Sequence, residues 1–447
     1  MMARMKCKMI LPTLLILSGL ALAQTPDTAL LAEINKIRAI DNHTHVPKIV
    51  AAGEKDDEYD ALPCDERIEP ADNPTFGRPE NPWIVKAWQS LYGYKYNDAK
   101  PEHVKELLEA KQRVMREQGD NYPTWLLDRI GTEYMLANRI AMGRGLNAPR
   151  FRWVAFDDAL MLPLNSQAVA DSPDRKFFYQ REKMLLDRYM KEAGVASLPA
   201  TLDEFVARVI APVLEQQKKS GAVAIKFEAA YLRSLNFGDP QEEEARRIYA
   251  RGVAGGSGNE TPSKTDYLKL QDVLFRAIAR EAGRQGLAVH IHTGSGCGSY
   301  FAISGSNPAL LDSVLNDASL RMTTFVLVHG GSGPFTKVAA FQMSKPNVYV
   351  DISEQVWILP TRAVAAVLRD WLEWYPEKVL FGTDLFPGTP EVNWEEIGWV
   401  ASRNGRDALA VALTGMMNDG EISRARALEI ARMVLRGNAM RIYGIDK

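Results

Sequence analysis

The sequence AIDNHTH, residues 39–45, brings two histidines to the end of a run that is typical of a buried β-strand. Successive side chains of a strand alternate between its two faces, so His43 and His45 share one face and can reach one metal ion. Imidazole is a good zinc ligand, and zinc is therefore the first metal to consider. Because strand-end histidines are often only hydrogen-bonded, the meaning of this pair depends on the rest of the chain.

Three further histidines and an aspartate repeat the pattern. His290 and His292 end a second apolar run, His329 ends a third, and Asp384 ends a fourth that begins at Val379. In a parallel (β/α)8 barrel, catalytic groups lie at the carboxyl ends of the strands. Five of the six histidines in the chain fit that arrangement.

Eight apolar, β-branched runs supply the strands that such a barrel needs. They span residues 39–45, 132–138, 151–156, 222–229, 287–293, 323–329, 347–352 and 378–384. Helical patterns lie between the later runs, for example over residues 267–284, with Gly286 as a stop signal. The alternation predicts an α/β fold, a (β/α)8 TIM barrel. The alternative is an open doubly wound sheet, but no Gly-X-Gly-X-X-Gly turn follows a strand.

Alternation also predicts which side chains point into the barrel. The inward set is Asp41, His43, His45, Lys226, Glu228, His290, His292, His329, Asp351 and Asp384. The outward set is mostly apolar: Ile40, Ile225, Phe227, Val289, Ile291, Val328 and Phe381. Charged groups inside a barrel are costly unless they are paired or bind a metal, and a metal ion would offset that cost for most of the inward set.

Six motifs in this order resemble the metal-dependent amidohydrolase superfamily, and within it the amidohydrolase-related (amidohydrolase 2) branch. They are Asp41–His45, Ala224–Tyr231, His290–Gly294, Val328–Gly331, Asn347–Asp351 and Phe381–Asp384. The segment Arg436–Ala439, before the last predicted helix, also resembles the end of that family. The order and spacing agree over almost the whole chain after residue 23, although each motif by itself is short.

The resemblance implies a set of metal ligands. His43 and His45 correspond to the ligands of the first strand, His292 to that of the fifth, and Asp384 to the ligand that also accepts a proton. His290 competes with His292, but the Thr-Gly that follows His292 fits the family better. His290 would then lie behind the ligands or contact the substrate, or it is a core histidine bonded to a carbonyl group.

Lys226 is open to several interpretations. In two-metal members of the superfamily a fourth-strand lysine is carbamylated and bridges the ions, so the resemblance implies one divalent ion, zinc, or two if Lys226 is carbamylated. The lysine could instead bind a substrate carboxylate or pair with Glu228. Candidates for a second metal site or for substrate binding are therefore Lys226, His329, His290 and Glu228.

The resemblance implies a metal-dependent hydrolase in which metal-activated water attacks a carbonyl or a C–N or C–O bond of a small molecule. Asp384 would accept the proton of that water and deliver it to the leaving group. His329 would stabilise the developing oxyanion. A non-oxidative decarboxylase or lyase would use the same groups, and an inactive binding protein is a further alternative.

Composition limits the partners. A net charge of -2 with 25% charged residues gives no basic surface for nucleic acid or an anionic membrane. We expect a small-molecule substrate, no stable membrane insertion, and either a monomer or a homo-oligomer.

The first 23 residues have the layout of a secretory signal peptide. Arg4, Lys6 and Lys8 precede an apolar run that ends in Ala21-Leu22-Ala23. An uncleaved anchor is the alternative, but the run is short for a membrane span. We therefore expect an exported protein, periplasmic or secreted, with a single barrel domain over residues 24–447 and insertions at 46–131 and 157–221.

Export would allow the cysteines of the mature protein to form a disulfide. Cys64, in the first insertion, and Cys297, in the loop after the fifth strand, would meet an oxidising compartment that permits a disulfide. Both segments belong to the catalytic end of the predicted barrel, so the two could pair. Two separate thiols are the alternative.

Overall fold

The computed structural model of the chain describes residues 25–51, 53–63, 77–254 and 260–445. Eight parallel strands follow one another around a barrel in sequence order. They are β1 (Ala39–Thr44), β2 (Thr132–Arg139), β3 (Phe151–Phe156), β4 (Ala222–Phe227), β5 (Ala288–His292), β6 (Phe325–Val328), β7 (Val348–Asp351) and β8 (Val379–Leu380). The predicted TIM barrel is confirmed, and the open doubly wound sheet is not what forms.

Main-chain hydrogen bonds join the segment after β8 to β1 and so bring the two ends of the sheet together. The amide of Asn42 donates to the carbonyl of Phe381 at 2.9 Å, and that of His45 donates to Leu385 at 2.7 Å. β8 itself is only two residues long, whereas the sequence predicted a strand to residue 384. Asp384 itself has a left-handed backbone (φ 57°) and is not part of a strand.

Helices cover the outside of the barrel and fill its connections. They are α1 (Thr28–Ile34), α2 (Pro82–Tyr92), α3 (Pro101–Gln118), α4 (Tyr122–Arg129), α5 (Pro173–Glu192), α6 (Leu202–Phe205), α7 (Ala211–Lys219), α8 (Ala229–Leu232), α9 (Glu242–Ala254), α10 (Lys264–Gln285), α11 (Asp312–Leu315), α12 (Thr336–Gln342), α13 (Gln355–Ile358), α14 (Thr361–Leu372), α15 (Trp394–Asn418), α16 (Arg424–Arg432) and α17 (Asn438–Tyr443). No helix among the described residues is both long and apolar enough to span a bilayer.

The helix predicted over residues 267–284 corresponds to α10. The hydroxyl of Ser263 caps its first turn by accepting from the amide of Asp266, and Gly286 ends it with φ 68°. The two long segments 46–131 and 157–221 contain α2 to α4 and α5 to α7, respectively. They leave β1 and β3 at their carboxyl ends and therefore lie on the side of the barrel where the site is expected.

Two layers of apolar side chains form the core. The larger layer packs the outer faces of the strands, such as Ile225 and Ile291, against the helices. A smaller cluster fills the barrel interior with Ile40, Leu136, Val154, Ala224, Ala288, Val326, Val328 and Leu380, and α17 covers it. The prediction that Ile40 and Val328 face outward is therefore wrong. The register of β1 shifts between Asp41 and Thr44, so simple alternation fails along that strand.

Candidate metal centre

Two histidines and an aspartate converge at the carboxyl end of the barrel. Oδ1 of Asp384 lies 3.2 Å from Nε2 of His43 and 3.6 Å from Nε2 of His45. The main chain fixes this approach, because the amide of Asp384 donates to the carbonyl of His43 at 2.8 Å. The first and last strands therefore bring together three atoms that can share one cation.

A carboxylate lies behind His45 and a hydroxyl group lies behind His329. Nδ1 of His45 lies 3.2 Å from Oδ2 of Asp60, although the geometry is not that of a linear hydrogen bond. Nδ1 of His329 lies 2.9 Å from the Ser353 hydroxyl, whose own proton goes to Asp351 at 2.5 Å. The His329 ring thus carries its proton on Nδ1 and keeps the lone pair of Nε2 for the site.

His292 is oriented through its other nitrogen. Its Nε2 lies 2.8 Å from the carbonyl of Ser295, and since a carbonyl only accepts, Nε2 carries the proton and Nδ1 keeps the lone pair. The His292 ring packs against His329 and Tyr231, with centroid distances of 4.7 Å in both cases.

Among the described residues, potential metal-ligand atoms cluster in two groups, and the members of each lie within 4.8 Å of one another. The groups are His43, His329 and Asp384, and His45, Asp60 and Glu228. The first group contains the predicted ligands His43 and Asp384 with His329 as its third member. His45 belongs to the second group, although its Nε2 lies 3.6 Å from Oδ1 of Asp384. His292 lies beside His329 and outside both groups.

Lys226 lies between the two groups and is fully buried. Its Nζ is 3.4 Å from Nε2 of His43 and 3.9 Å from Oε1 of Glu228. The predicted pairing with Glu228 is thus a long contact, and Nζ is close enough to a predicted ligand to act at the site. Whether Lys226 is carbamylated remains a prediction.

His290 points to the floor of the barrel instead. Its Nε2 lies 2.7 Å from the hydroxyl of Tyr443 on α17, which also donates to Asn42. Burial and the neighbouring Lys226 lower the pKa of His290 to about 3, so the ring is neutral. His290 therefore lies behind the ligands, as one of the sequence-based alternatives predicted. Its partner is the hydroxyl group of Tyr443 and not a carbonyl group.

The electrostatics suit a bound cation. Burial, followed by the charge of Lys226, holds the pKa of His43 well below its usual range. Burial, followed by the charge of Glu354, raises the pKa of Asp384 well above its usual range. Neutral imidazoles beside a carboxyl group that resists ionisation are what remains when a metal-ligand set carries no cation, so the residues fit a divalent ion.

Three residues at the carboxyl ends of β6, β7 and β8 have a left-handed backbone. They are His329 (φ 64°), Glu354 (φ 62°) and Asp384 (φ 57°), and no other non-glycine residue in the described ranges has a positive φ. Alternation would put His329 on the face opposite to Val328, and the left-handed turn brings it into the site instead. Such strain persists only where the surroundings enforce it, and it tends to mark functional sites.

Sequence reasoning missed Glu354 and Asp60. Oε2 of Glu354 accepts from the hydroxyls of Ser295 at 2.7 Å and Ser332 at 2.6 Å, and so joins the loops after β5, β6 and β7. Burial raises the pKa of Glu354 to about 7. Its position three residues after Asp351 was a usable signal, because it follows a strand end. No feature of the sequence pointed to Asp60, because it belongs to the insertion after β1 and follows no strand end.

Cys297 is disulfide-bonded in the structure and lies near the hydroxyl of Tyr231, with 3.7 Å between Sγ and that oxygen. Cys64 lies outside the described residues. The pairing of Cys64 with Cys297 therefore remains a prediction.

Comparison with known proteins places these features in context. The family model Amidohydro_2, described as amidohydrolase, matches residues 40–445. The protein fluG of Emericella nidulans is 29% identical over 218 residues, which are 47% of this chain. The match covers 24% of fluG, so the chain spans about a quarter of that relative.

Solved structures with the same fold include two sugar-acid isomerases. The glucuronate isomerase of Caulobacter crescentus has a TM-score of 0.62 at 12% identity and covers 94% of each chain. The uronate isomerase of Thermotoga maritima has a TM-score of 0.58 at 14% identity, covering 93% of this chain and 96% of its own. A Lactobacillus casei protein, provisionally described as a metal-dependent hydrolase, has a TM-score of 0.58 at 15% identity, covering 94% and 98%. Identities this low show the fold alone.

Proposed function

The chain belongs to the amidohydrolase family, and from that premise we propose that it is a metal-dependent hydrolase in which water adds to a carbonyl or to a C–N or C–O bond of a small molecule. The observation that carries the proposal is the convergence of Nε2 of His43, Nε2 of His45 and Oδ1 of Asp384. Oδ1 of Asp384 lies 3.2 Å from Nε2 of His43 and 3.6 Å from Nε2 of His45, close to the spacing of about 3.3 Å that two tetrahedral zinc ligands keep.

His43, His45 and Asp384 would hold the ion, with a fourth ligand from His292 or His329. When bound, a zinc ion lowers the pKa of water to about 7 and polarises a carbonyl oxygen. Nε2 of His329 keeps its lone pair because the Ser353 hydroxyl holds the ring proton on Nδ1, so this ring is a competent donor to a metal. The five candidates lie at the ends of β1, β5, β6 and β8, which is how a barrel assembles a site from distant segments.

Asp384 is the proton acceptor in this proposal. Its carboxylate lies next to the ion that would activate the water, so it is within reach of the proton that the water loses. It can then deliver that proton to the leaving group, a step typically worth 10²–10⁴-fold. The oxyanion role expected for His329 needs an N–H directed at the substrate. Because Ser353 holds the His329 proton on Nδ1, we favour metal binding or proton acceptance for Nε2.

Metal analysis and a substrate screen test the proposal together. We expect purified protein to contain at least one divalent ion per chain and to hydrolyse members of a panel of amides, lactones and esters. Asp384→Asn should lower turnover by at least about 10²-fold in a folded protein. Decarboxylation of aromatic carboxylates or isomerisation of a uronate, without hydrolysis, would contradict it. Metal binding without any turnover would indicate the binding-protein alternative.

The sixth histidine provides a matched control. His103 lies on α3, stacked on Tyr96 with 3.6 Å between ring centroids. His43→Ala combined with His45→Ala should abolish metal binding, while His103→Ala should leave the stoichiometry unchanged. Equal metal contents in the two variants would refute the ligand assignment.

Export is a further part of the proposal, supported only by the sequence of residues 1–23, which lie outside the described residues. Mass spectrometry of the mature protein should give Gln24 as its first residue. A retained Met1 in exported material would contradict cleavage after Ala23.

A further inference from the structure

Four buried carboxyl groups gather beside His45. Asp60 comes from the insertion after β1, Asp158 follows β3, Glu182 lies on α5 and Glu228 follows β4; they are 5%, 0%, 1% and 3% exposed, respectively. Asp60, Glu228 and His45 offer ligand atoms within 4.8 Å of one another. The amide of Glu228 donates to Asp158 at 2.6 Å, which links the members of the cluster.

Several oxygens of this cluster lack a hydrogen-bond partner among the described residues. These atoms are both carboxyl oxygens of Glu182, Oε2 of Glu228 and Oδ1 of Asp158. Glu182 interacts electrostatically with Asp158, with its neighbour Arg181 and with Asp60, so its carboxyl group faces the cluster. A buried polar group without a partner is destabilising, and a carboxylate more so, which indicates that a ligand or an ion completes these contacts.

The basic side chains nearby do not match the carboxyl groups in number. Lys226 divides its contacts between Glu228, at 3.9 Å, and His43, at 3.4 Å. The Arg181 guanidinium donates to the main-chain oxygens of Ala61 at 2.9 Å and Asp60 at 3.4 Å. The buried acidic groups, to which Asp157 beside Asp158 and Glu182 also belongs, thus outnumber Lys226 and Arg181, and a further cation would restore the balance.

The tautomer of His45 indicates which cation fits. Nε2 of His45 faces Asp384, and Nδ1 faces Asp60 at 3.2 Å. A histidine that binds the catalytic ion through Nε2 keeps its proton on Nδ1 and has no lone pair for a second metal. Two carboxylates without imidazole suit a group that donates several hydrogen bonds and carries one positive charge.

We infer that Asp60 and Glu228 form a subsite that binds a primary ammonium group of the substrate, next to the bond that is hydrolysed. This inference rests on the proposed hydrolase function. The ammonium group would donate to the carboxyl groups of Glu228 and Asp60. The enzyme would therefore select amides or esters that carry a cationic nitrogen over neutral or anionic ones.

The test measures binding in matched pairs of probes, so that it does not depend on turnover. Glycinamide, β-alaninamide and 4-aminobutanamide each carry an ammonium group, and propanamide, butanamide and pentanamide replace it with a methyl group. Titration calorimetry of the zinc-loaded protein should show at least one ammonium probe binding about tenfold or more tightly than its methyl partner. Equal affinities within all three pairs would overturn the inference.

Glu228→Gln removes the charge at nearly constant shape, and Glu228→Asp retains it. We expect the preference for the ammonium probe to fall to about parity in Glu228→Gln and to persist in Glu228→Asp, with unchanged zinc content in both. A preference that survives Glu228→Gln would overturn the assignment. So would the loss of one metal equivalent in that variant from a wild-type protein that holds two, because the subsite would then be a metal site.

Failure of the inference can be told apart from failure of the proposed function. Hydrolysis of amides with no preference in the binding assay would leave the hydrolase and refute the subsite. A clear ammonium preference with no hydrolysis of any amide, lactone or ester would support the subsite and refute the hydrolase.

Discussion

At the scale of single residues, the site depends on groups that hold its ligands in one orientation. The carbonyl of Ser295 and the hydroxyl of Ser353 fix the protons of His292 and His329, and the Asp60 carboxylate lies 3.2 Å from Nδ1 of His45. Carboxylates and carbonyl groups behind a metal-binding histidine set its tautomer and raise its basicity. These partners should therefore be nearly as important for metal affinity as the ligands themselves.

Asp60→Asn should weaken zinc binding by about 10–100-fold, because the amide cannot support His45 as a carboxylate does. Competition with a chromogenic chelator measures the affinity directly. Asp120→Asn, at an exposed aspartate that pairs with Arg144, is the control and should leave affinity unchanged. An Asp60→Asn protein that binds zinc as tightly as the wild type would refute this role.

A second residue-scale prediction concerns pH. Burial raises the pKa of Asp157 to about 7, against a lowering contribution from the Gln217 amide that donates to it at 2.8 Å. The folded protein therefore holds this proton more tightly than the unfolded chain, and stability is lost as pH rises from about 4 to 7. Asp157→Asn cannot titrate and escapes that loss.

The free energy of unfolding of Asp157→Asn, relative to wild type, should therefore increase between pH 4 and pH 7, with a ceiling of about 4 kcal/mol. Urea unfolding at several pH values measures the difference. Asp187→Asn, at an aspartate with 58% of its side chain exposed, should show no comparable trend. A difference that is flat with pH would contradict the raised pKa.

At the scale of elements, the loops after β5 and β6 approach each other too closely for side chains. A Cβ on Gly294 would lie 2.2 Å from the main-chain nitrogen of Ser332, and Gly294 has φ 88°. Glu354 joins the same two loops through Ser295 and Ser332. The loops that carry His292 and His329 are thus held together by main-chain contact on one side and a carboxylate on the other.

Gly294→Ala should accordingly destabilise the protein by roughly 2–4 kcal/mol, the sum of a left-handed backbone and a steric clash. Gly286→Ala is the matched control, since Gly286 also has a positive φ, 68°, but nothing lies within 4 Å of the added Cβ. It should cost only about 1 kcal/mol. Equal shifts in the urea midpoints of the two variants would contradict the predicted steric clash, because the loops would then have moved to accommodate the added Cβ.

In the molecule as a whole, the candidate metal site lies where the first and last strands of the barrel meet. The ligand candidates come from its first and last strands, whose junction is made by main-chain bonds such as that from Asp384 to His43. A cation held by both strands therefore stabilises the folded chain and not the unfolded one. At a free metal concentration one thousand times the Kd, such binding adds about 4 kcal/mol.

Chelation with EDTA should lower the temperature of thermal unfolding, and added zinc should restore it. The variant with His43→Ala and His45→Ala should unfold at one temperature under both conditions, because it no longer binds the ion. Differential scanning calorimetry provides the measurement. A wild-type protein that is insensitive to EDTA and to zinc would contradict the coupling between metal and fold.

The sequence by itself determined the barrel and most of the ligand candidates. Side-chain alternation and apolar runs are local properties, so the eight strands could be predicted to within a few residues. His43, His45 and Asp384 stood out because each follows such a run and because the motifs resemble a known family. The register shift in β1 and the left-handed turn at His329 were not predictable from alternation.

Only the tertiary structure decided what surrounds those ligands. Asp60 and Glu182 come from segments far from any strand end, and their role depends on how the connections fold back over the barrel. Strain at Glu354 is likewise enforced by Ser295 and Ser332, which are distant in sequence. A strand pattern depends only on residues that are neighbours in the sequence. The partners of a buried charge depend on packing between segments that are distant in the sequence, and no local pattern connects them.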